Sequence, residues 1–199
     1  MLTQGLSLNH IIDFNYDAPI TGNLYNWGYG PAFTVNNTNS QNVATKPSMT
    51  FDNETVYLKG WHIHAPADHS VQGDRSKAEH HLVHADADGH EKAVVAMRID
   101  PGNAASPFFA QFPAVPGFDD ESAQTMQMDG LMALKEVNMF NEFWTYKGSL
   151  TSPPCTEGIR WFVARNVLFV SVEQMQAILA VSTYSARVEQ EVWQHQINV

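Results

Sequence analysis

Residues 61–86 read WHIHAPADHSVQGDRSKAEHHLVHAD, and this stretch holds six of the chain's nine histidines, with His90 just beyond it. His62 and His64 stand two apart at the end of TVYLKGWHIH, whose Val, Tyr, Trp and Ile favour a strand. On a strand, side chains two apart share a face, roughly 7 Å from one another. EHHLVHAD is a second short β-like run, and it places Glu79 two residues before His81, again on one face. If the two runs are sheet neighbours about 4.8 Å apart, His62, His64 and His81 converge on one point. Three imidazoles on rigid strands with a fourth position open describe a catalytic zinc site. His80 and His84 carry a rival helical reading, since residues four apart share a helix face. The helical zinc motif, however, needs Glu directly after its first His, and His81 stands there instead. His80, His84 and His90 are therefore read as non-ligands.

Working outward, the chain has 199 residues, 44% of them hydrophobic, enough for one substantial core and one domain spanning 1–199. Only 16% are charged and the net charge is −10, with no Lys/Arg cluster to neutralise phosphates, so nucleic acid is excluded as a partner. No apolar run approaches the roughly eighteen residues of a membrane helix. The opening MLTQGLSLNHIIDF lacks the basic start and apolar segment of a signal peptide and reads as a strand entered abruptly.

Between Asn9 and Thr55 the apolar runs HIIDF, AFTV and SMTF alternate with NYDAP, NWGYGP, NNTNS and FDNE, the grammar of an antiparallel sheet. KAVVAMRI reads as a buried strand in which Val94 and Val95 face opposite ways. PFFAQFPAVPGF is proline-punctuated loop, and DDESAQTMQMDGLMALKE is mixed helix and turn. FWTYKGSL and RWFVARNVLFV read as strands flanking the loop LTSPPCTEG. Ser171 and Gln174 form a capping box that opens the helix SVEQMQAILA. The tail SARVEQEVWQHQINV is irregular with a short strand. The expected fold is mainly β: a large twisted, mostly antiparallel central sheet with a few short peripheral helices.

GWHIH, the following HSV, AEHHLVHAD, GSLTSPP and a Trp seven residues after the second of those prolines occur here in one order. In this the chain resembles the alpha class of carbonic anhydrases, from about residue 9 to 199. The resemblance implies reversible hydration of CO₂ to bicarbonate by a zinc-activated hydroxide, with Zn²⁺ on His62, His64 and His81. Glu79 would accept the second ring N–H of His81. Thr151 matches a gatekeeper threonine whose hydroxyl donates its own proton to a carboxylate. That carboxylate is Glu in the family and Asp68 here, one methylene shorter. Val83, Val94, Leu150 and Trp161 match the family's dry wall for CO₂, and Ser152 a position that can hydrogen-bond bicarbonate. The family's glutamine two residues before the first ligand is Gly60 in this chain. Its proton-shuttle histidine is Pro31, which cannot titrate.

Cys155 is the only cysteine. Secreted relatives pair a cysteine at this position with one near the amino terminus, and that partner is missing. The unpaired thiol and an uncovered sheet edge raise the expectation of a homo-oligomer. The triplets Asn36-Asn37-Thr38 and Asn53-Glu54-Thr55 fit the N-glycosylation pattern and point to a secreted precursor; a reducing cytoplasm would also suit the lone cysteine. Two other functions fit parts of the pattern. His62, His64, Asp68 and Gly73 resemble a cupin metal motif, and a catalytically silent binding module of the same family would tolerate Asp68 and Pro31.

Overall fold

The computed structural model describes residues 7, 10–16, 19–36, 47–192 and 196–198. Strands β1 (Ile12–Asn15), β2 (Ile20–Asn26), β3 (Pro31–Val35), β4 (Ser48–Phe51) and β5 (Glu54–His64) come first. A small hairpin, β6 (Ser70–Val71) with β7 (Asp74–Arg75), precedes β8 (Ala78–Ala85) and β9 (Glu91–Pro101). Then come β10 (Gln124–Met128), helix α1 (Leu131–Glu136), β11 (Phe143–Ser149), β12 (Glu157–Ala164), β13 (Leu168–Val170) and helix α2 (Val172–Ala180). Apart from the hairpin, the strands form one eleven-stranded sheet whose main path runs β10-β2-β3-β5-β8-β9-β12-β11. Every pairing in it is antiparallel except those of β12 and β13 with β9. Among the described residues no helix is long and apolar enough to cross a membrane.

The middle strands are buried on both faces, and alternation sorts their side chains. Trp61, Ile63, Leu82, Val95, Met97 and Phe162 enter the main core. Val94, Ala96, Trp161 and Val163 point the other way into a smaller apolar cluster. Val94 and Val95 thus do face apart. The aromatic run of 107–118 closes over the main core, with Phe108 and Phe112 edge-on to Trp61 at ring distances of 6.1 and 5.1 Å. This segment is loop, as its prolines imply, apart from one 3-10 turn, Phe109–Gln111. The Glu136 carboxylate secures its start, accepting from Phe108 N at 2.7 Å and Ser106 Oγ at 3.0 Å. The capping box of α2 is present: Gln174 N donates to Ser171 Oγ (3.2 Å), and Ser171 N donates to Gln174 Oε1 (3.1 Å).

Three segments depart from the sequence reading. Residues 119–136, expected as helix and turn, contain strand β10 before the short helix α1. Met126 and Met128 pack inward there while Gln124, Thr125 and Gln127 stay exposed, a period-two pattern hidden by residues that favour helix. RWFVARNVLFV is two strands, because the chain leaves the sheet at Arg165 and rejoins β9 one step along. β2 falls between the turn stretches NYDAP and NWGYGP, in residues that the sequence reading assigned to no strand. Gly22 is needed within it, since a Cβ would lie 2.3 Å from Thr34 O on β3. Of the two glycosylation triplets, Asn37 and Thr38 lie outside the described residues, and Asn53 is exposed in the β4–β5 turn.

His80 and His84 point into the main core. Both ring nitrogens of His80 are buried without a hydrogen-bond partner, and the ring packs on Trp61 and Phe108. The Tyr16 hydroxyl meets His84 Nε2 at 2.5 Å. Burial, helped at His80 by the charge of His81, pushes both imidazoles from the ordinary 6.5 down to about 3. The unfolded chain therefore takes up protons below pH 6.5 that the folded chain refuses until about pH 3. Stability is expected to fall as pH drops through this window, by about 1.4 kcal/mol per pH unit for each of the two histidines. Urea unfolding of metal-free protein between pH 7 and 4 measures this. His80→Leu is expected to shallow the slope, and equal slopes would contradict the assignment.

Candidate metal centre

The antiparallel pairing of β5 with β8 sets His62 directly across from His81 and His64 across from Glu79. The three ring nitrogens offered by His62, His64 and His81 all lie within 4.8 Å of one another. The Nε2 atoms of His62 and His64 are 3.0 Å apart. Two ligands of a tetrahedral zinc at about 2.0–2.1 Å sit roughly 3.3 Å from each other, so the opening fits that ion.

The outer nitrogens fix two of the tautomers. His64 Nδ1 donates to Ser185 O at 3.1 Å, and His81 Nε2 donates to Glu79 Oε1 at 2.8 Å. The remaining lone pairs then face inward. Burial lowers the pKa of His64 to about 4, with the charge of His81 adding to it, and burial likewise holds His62 well below its ordinary value. The pair stays neutral at pH 7, the form that binds a cation. The donor set is three imidazole nitrogens converging on one point, which suits zinc better than calcium or magnesium.

Glu79 is fully buried, and burial pushes its carboxyl up. The charge and hydrogen bonds of His69, then those of His81, outweigh this and hold it well below the usual carboxylate range. Glu79 accepts from His69 N at 2.9 Å and from the His69 ring at Nδ1. The far nitrogen of that ring accepts from the Tyr146 hydroxyl at 2.7 Å. Burial, with Glu79 and Asp68 nearby, pushes Tyr146 well above its ordinary value, so it stays a donor. His69 and Tyr146 belong to the site although the sequence reading assigned them no role. The HSV stretch around His69 was the available signal.

Val83, Val94, Leu150 and Trp161 gather in the smaller apolar cluster on the metal side of the sheet. The Trp161 ring lies 5.0 Å from that of His81, and its Nε1 donates to Ser149 O at 2.9 Å, fastening the LTSPP loop. Thr151 and Asp68 line one cleft of about 100 Å³ together with His69, Ser149 and Arg187. Among the described residues no hydrogen bond joins Thr151 to Asp68. Asp68 Oδ1 accepts from Arg187 N at 2.7 Å, while the buried Oδ2 is left without a hydrogen-bond partner, 3.6 Å from His64 Nε2. The shorter side chain has its reach taken up by Arg187. Ser152 sits in the same loop, its carbonyl accepting from Cys155 N at 2.9 Å. Cys155 is a free, half-buried thiol. Pro31 is buried at the start of β3, opposite Asn26.

Arg187 is the residue that sequence reasoning missed most plainly, because nothing in SARVEQ marks it. Its main-chain N–H holds Asp68, and its Nη1 donates to Ser149 Oγ at 2.8 Å and Leu150 O at 3.4 Å. One residue thus ties the acid to the loop bearing Thr151. Arg187→Ala is expected to cost about 2 kcal/mol in urea unfolding, since charged hydrogen bonds are lost. Arg187→Lys should recover only part, as an ammonium lacks the planar fork. Unchanged midpoints in both variants would contradict this.

Comparison with known proteins agrees with the geometry. A carbonic anhydrase of Pectobacterium atrosepticum is 31% identical over 140 residues, covering 70% of this chain and 56% of the relative. The match thus spans little more than half the length of that protein. The alpha-carbonic anhydrase structure of Photobacterium profundum superposes with a TM-score of 0.76 at 26% identity, covering 95% of this chain and 80% of that one. The fungal alpha carbonic anhydrase of Aspergillus oryzae shares the fold at a TM-score of 0.75 and 24% identity, over 98% and 82% of the two chains. This architecture leaves the cupin reading without support. The sequence profile of the eukaryotic-type carbonic anhydrase family matches residues 3–197, and the chain belongs to that family.

Proposed function

We propose that this chain is a zinc enzyme that reversibly hydrates CO₂, turning CO₂ and water into bicarbonate and a proton. The observation that carries this reading is the meeting of three imidazoles beside an apolar wall. Zn²⁺, when held by His62, His64 and His81, supplies the Lewis acidity that makes water nucleophilic near neutral pH. Val83, Val94, Leu150 and Trp161 offer CO₂ a surface that asks for no hydrogen bonds. Thr151 orients the attacking oxygen through its hydroxyl, and its N–H, with Ser152, receives bicarbonate. Asp68, which lines the same cleft, serves as the acceptor for the Thr151 proton. Glu79 keeps His81 in the tautomer whose Nδ1 faces the metal.

Zinc analysis and stopped-flow CO₂ hydration on one sample test the reading. One zinc per chain and measurable hydration are expected. His81→Ala should lose both, and Thr151→Ala should keep the zinc while losing about a hundredfold in rate. A protein that holds zinc yet hydrates no CO₂ would instead be a silent binding module.

The proton must also leave. Pro31 occupies the shuttle position and cannot carry it. Turnover is expected to rise steeply with buffer concentration, and Pro31→His should flatten that dependence. A rate that is already high and flat as buffer is diluted would contradict this.

A further inference from the structure

A metal-binding imidazole has to be held in its plane as well as at its distance, because the terminal torsion of histidine is soft. His64 is held by Ser185 O and His81 by Glu79. Among the described residues, nothing hydrogen-bonds Nδ1 of His62, whose Nε2 faces His64. The neighbour on the same strand face that could supply a partner is position 60, and it is glycine by necessity. A Cβ on Gly60 would lie 2.1 Å from Phe33 O, where β3 approaches β5.

An indole lies against the His62 ring instead. Trp27 has its ring centroid 5.0 Å from that of His62, inclined at 54°, and 5.2 Å from that of His64, at 71°. It is not a loosely draped surface residue. Its Nε1 donates to Ile63 O at 3.3 Å, between the two ligands, and its far side packs on Tyr29 at 4.8 Å. The turn bearing it is closed by Trp27 N to Gly30 O at 3.1 Å. Asn26 Oδ1 accepts from Gly28 N (3.0 Å) and Gly30 N (3.1 Å). The amide nitrogen of Asn26 donates to Pro116 O (3.0 Å) and Val181 O (2.8 Å), pinning the turn to two remote segments. Gly28, at φ +93°, allows the tight return.

We infer that Trp27 is a positioning residue of the metal centre, its clamped indole fixing the plane of the His62 ring by packing where a second hydrogen bond is missing. The inference rests on the metal reading of His62, His64 and His81. It also gives the Asn26–Gly30 turn a purpose: Asn26 stiffens the turn so that the indole can act as a wall.

Metal affinity tests this without recourse to turnover. Zn²⁺ and Co²⁺ are titrated into metal-free wild type, Trp27→Ala, Trp27→Leu and Trp27→Phe against a chromophoric chelator, and the visible spectrum of each Co²⁺ form is recorded. Circular dichroism and metal-free urea midpoints serve as folding controls, and the Leu and Phe variants decide the matter if Ala fails to fold. The Ala and Leu variants are expected to lose about tenfold or more in affinity, as loss of a ligand-orienting partner does, with weakened Co²⁺ bands. Trp27→Phe, which keeps a flat aromatic face, should recover most of the affinity and the spectrum. Ala and Leu variants that bind Co²⁺ with wild-type affinity and spectrum would overturn the inference and leave the metal reading standing. Equal losses in Leu and Phe would overturn it too, and a wild type that binds neither metal overturns both.

Discussion

The register between β5 and β8 is the constraint on which the site depends. With His62 opposite His81, two antiparallel strands deliver three imidazoles to one side of the sheet and Glu79 beside them. A slip of β8 by one residue would turn His81 and Glu79 into the aromatic core and bring His80 and His84 out beside His62 and His64, because side chains alternate strictly. A register shift between Leu58 and Gly60 immediately precedes this pairing, and on the other side of β5 strand β3 passes close enough to exclude any side chain at position 60.

The two faces of the sheet do opposite work with the same residue type. Histidines on the core side are buried among aromatic rings and stay uncharged because burial forbids the proton. On the cleft side, His64 and His81 have their outer nitrogens anchored and their inner ones turned to the opening, while His62 is held by packing. The anionic Glu79, sitting between His69 and His81, is the fixed charge that orders this side. It is kept ionised in a dry place only because two rings and a main-chain N–H surround it.

Much of the rigidity at the cleft is borrowed from segments far away in the chain. Arg187 reaches back to Asp68 and to the Ser149–Leu150 turn, Ser185 supplies a carbonyl to His64, and Asn26 binds to Pro116 and Val181. Each is a main-chain or side-chain hydrogen bond at the rim of the sheet. Together they convert strand ends, which would otherwise fray, into fixed walls.

The residues that point straight into the cleft were legible in the chain because their chemistry is local. Spacing of two on a strand, a carboxylate two before a histidine and the LTSPP turn declare themselves without knowledge of what lies opposite. The strand character of most of the chain was equally plain from its β-branched and aromatic alternation. Strand β2 and strand β10 were not, since Gly22, Asn23 and Gln127 carry turn or helix preference, and only pairing with sheet neighbours, β2 with β3 and β10 with β2, satisfies their backbones. Arg187, Trp27 and the Asp68 contact could not be read at all. Their roles arise from contacts across 35 to 119 positions, and sequence spacing says nothing about which distant groups folding brings within hydrogen-bonding or packing distance.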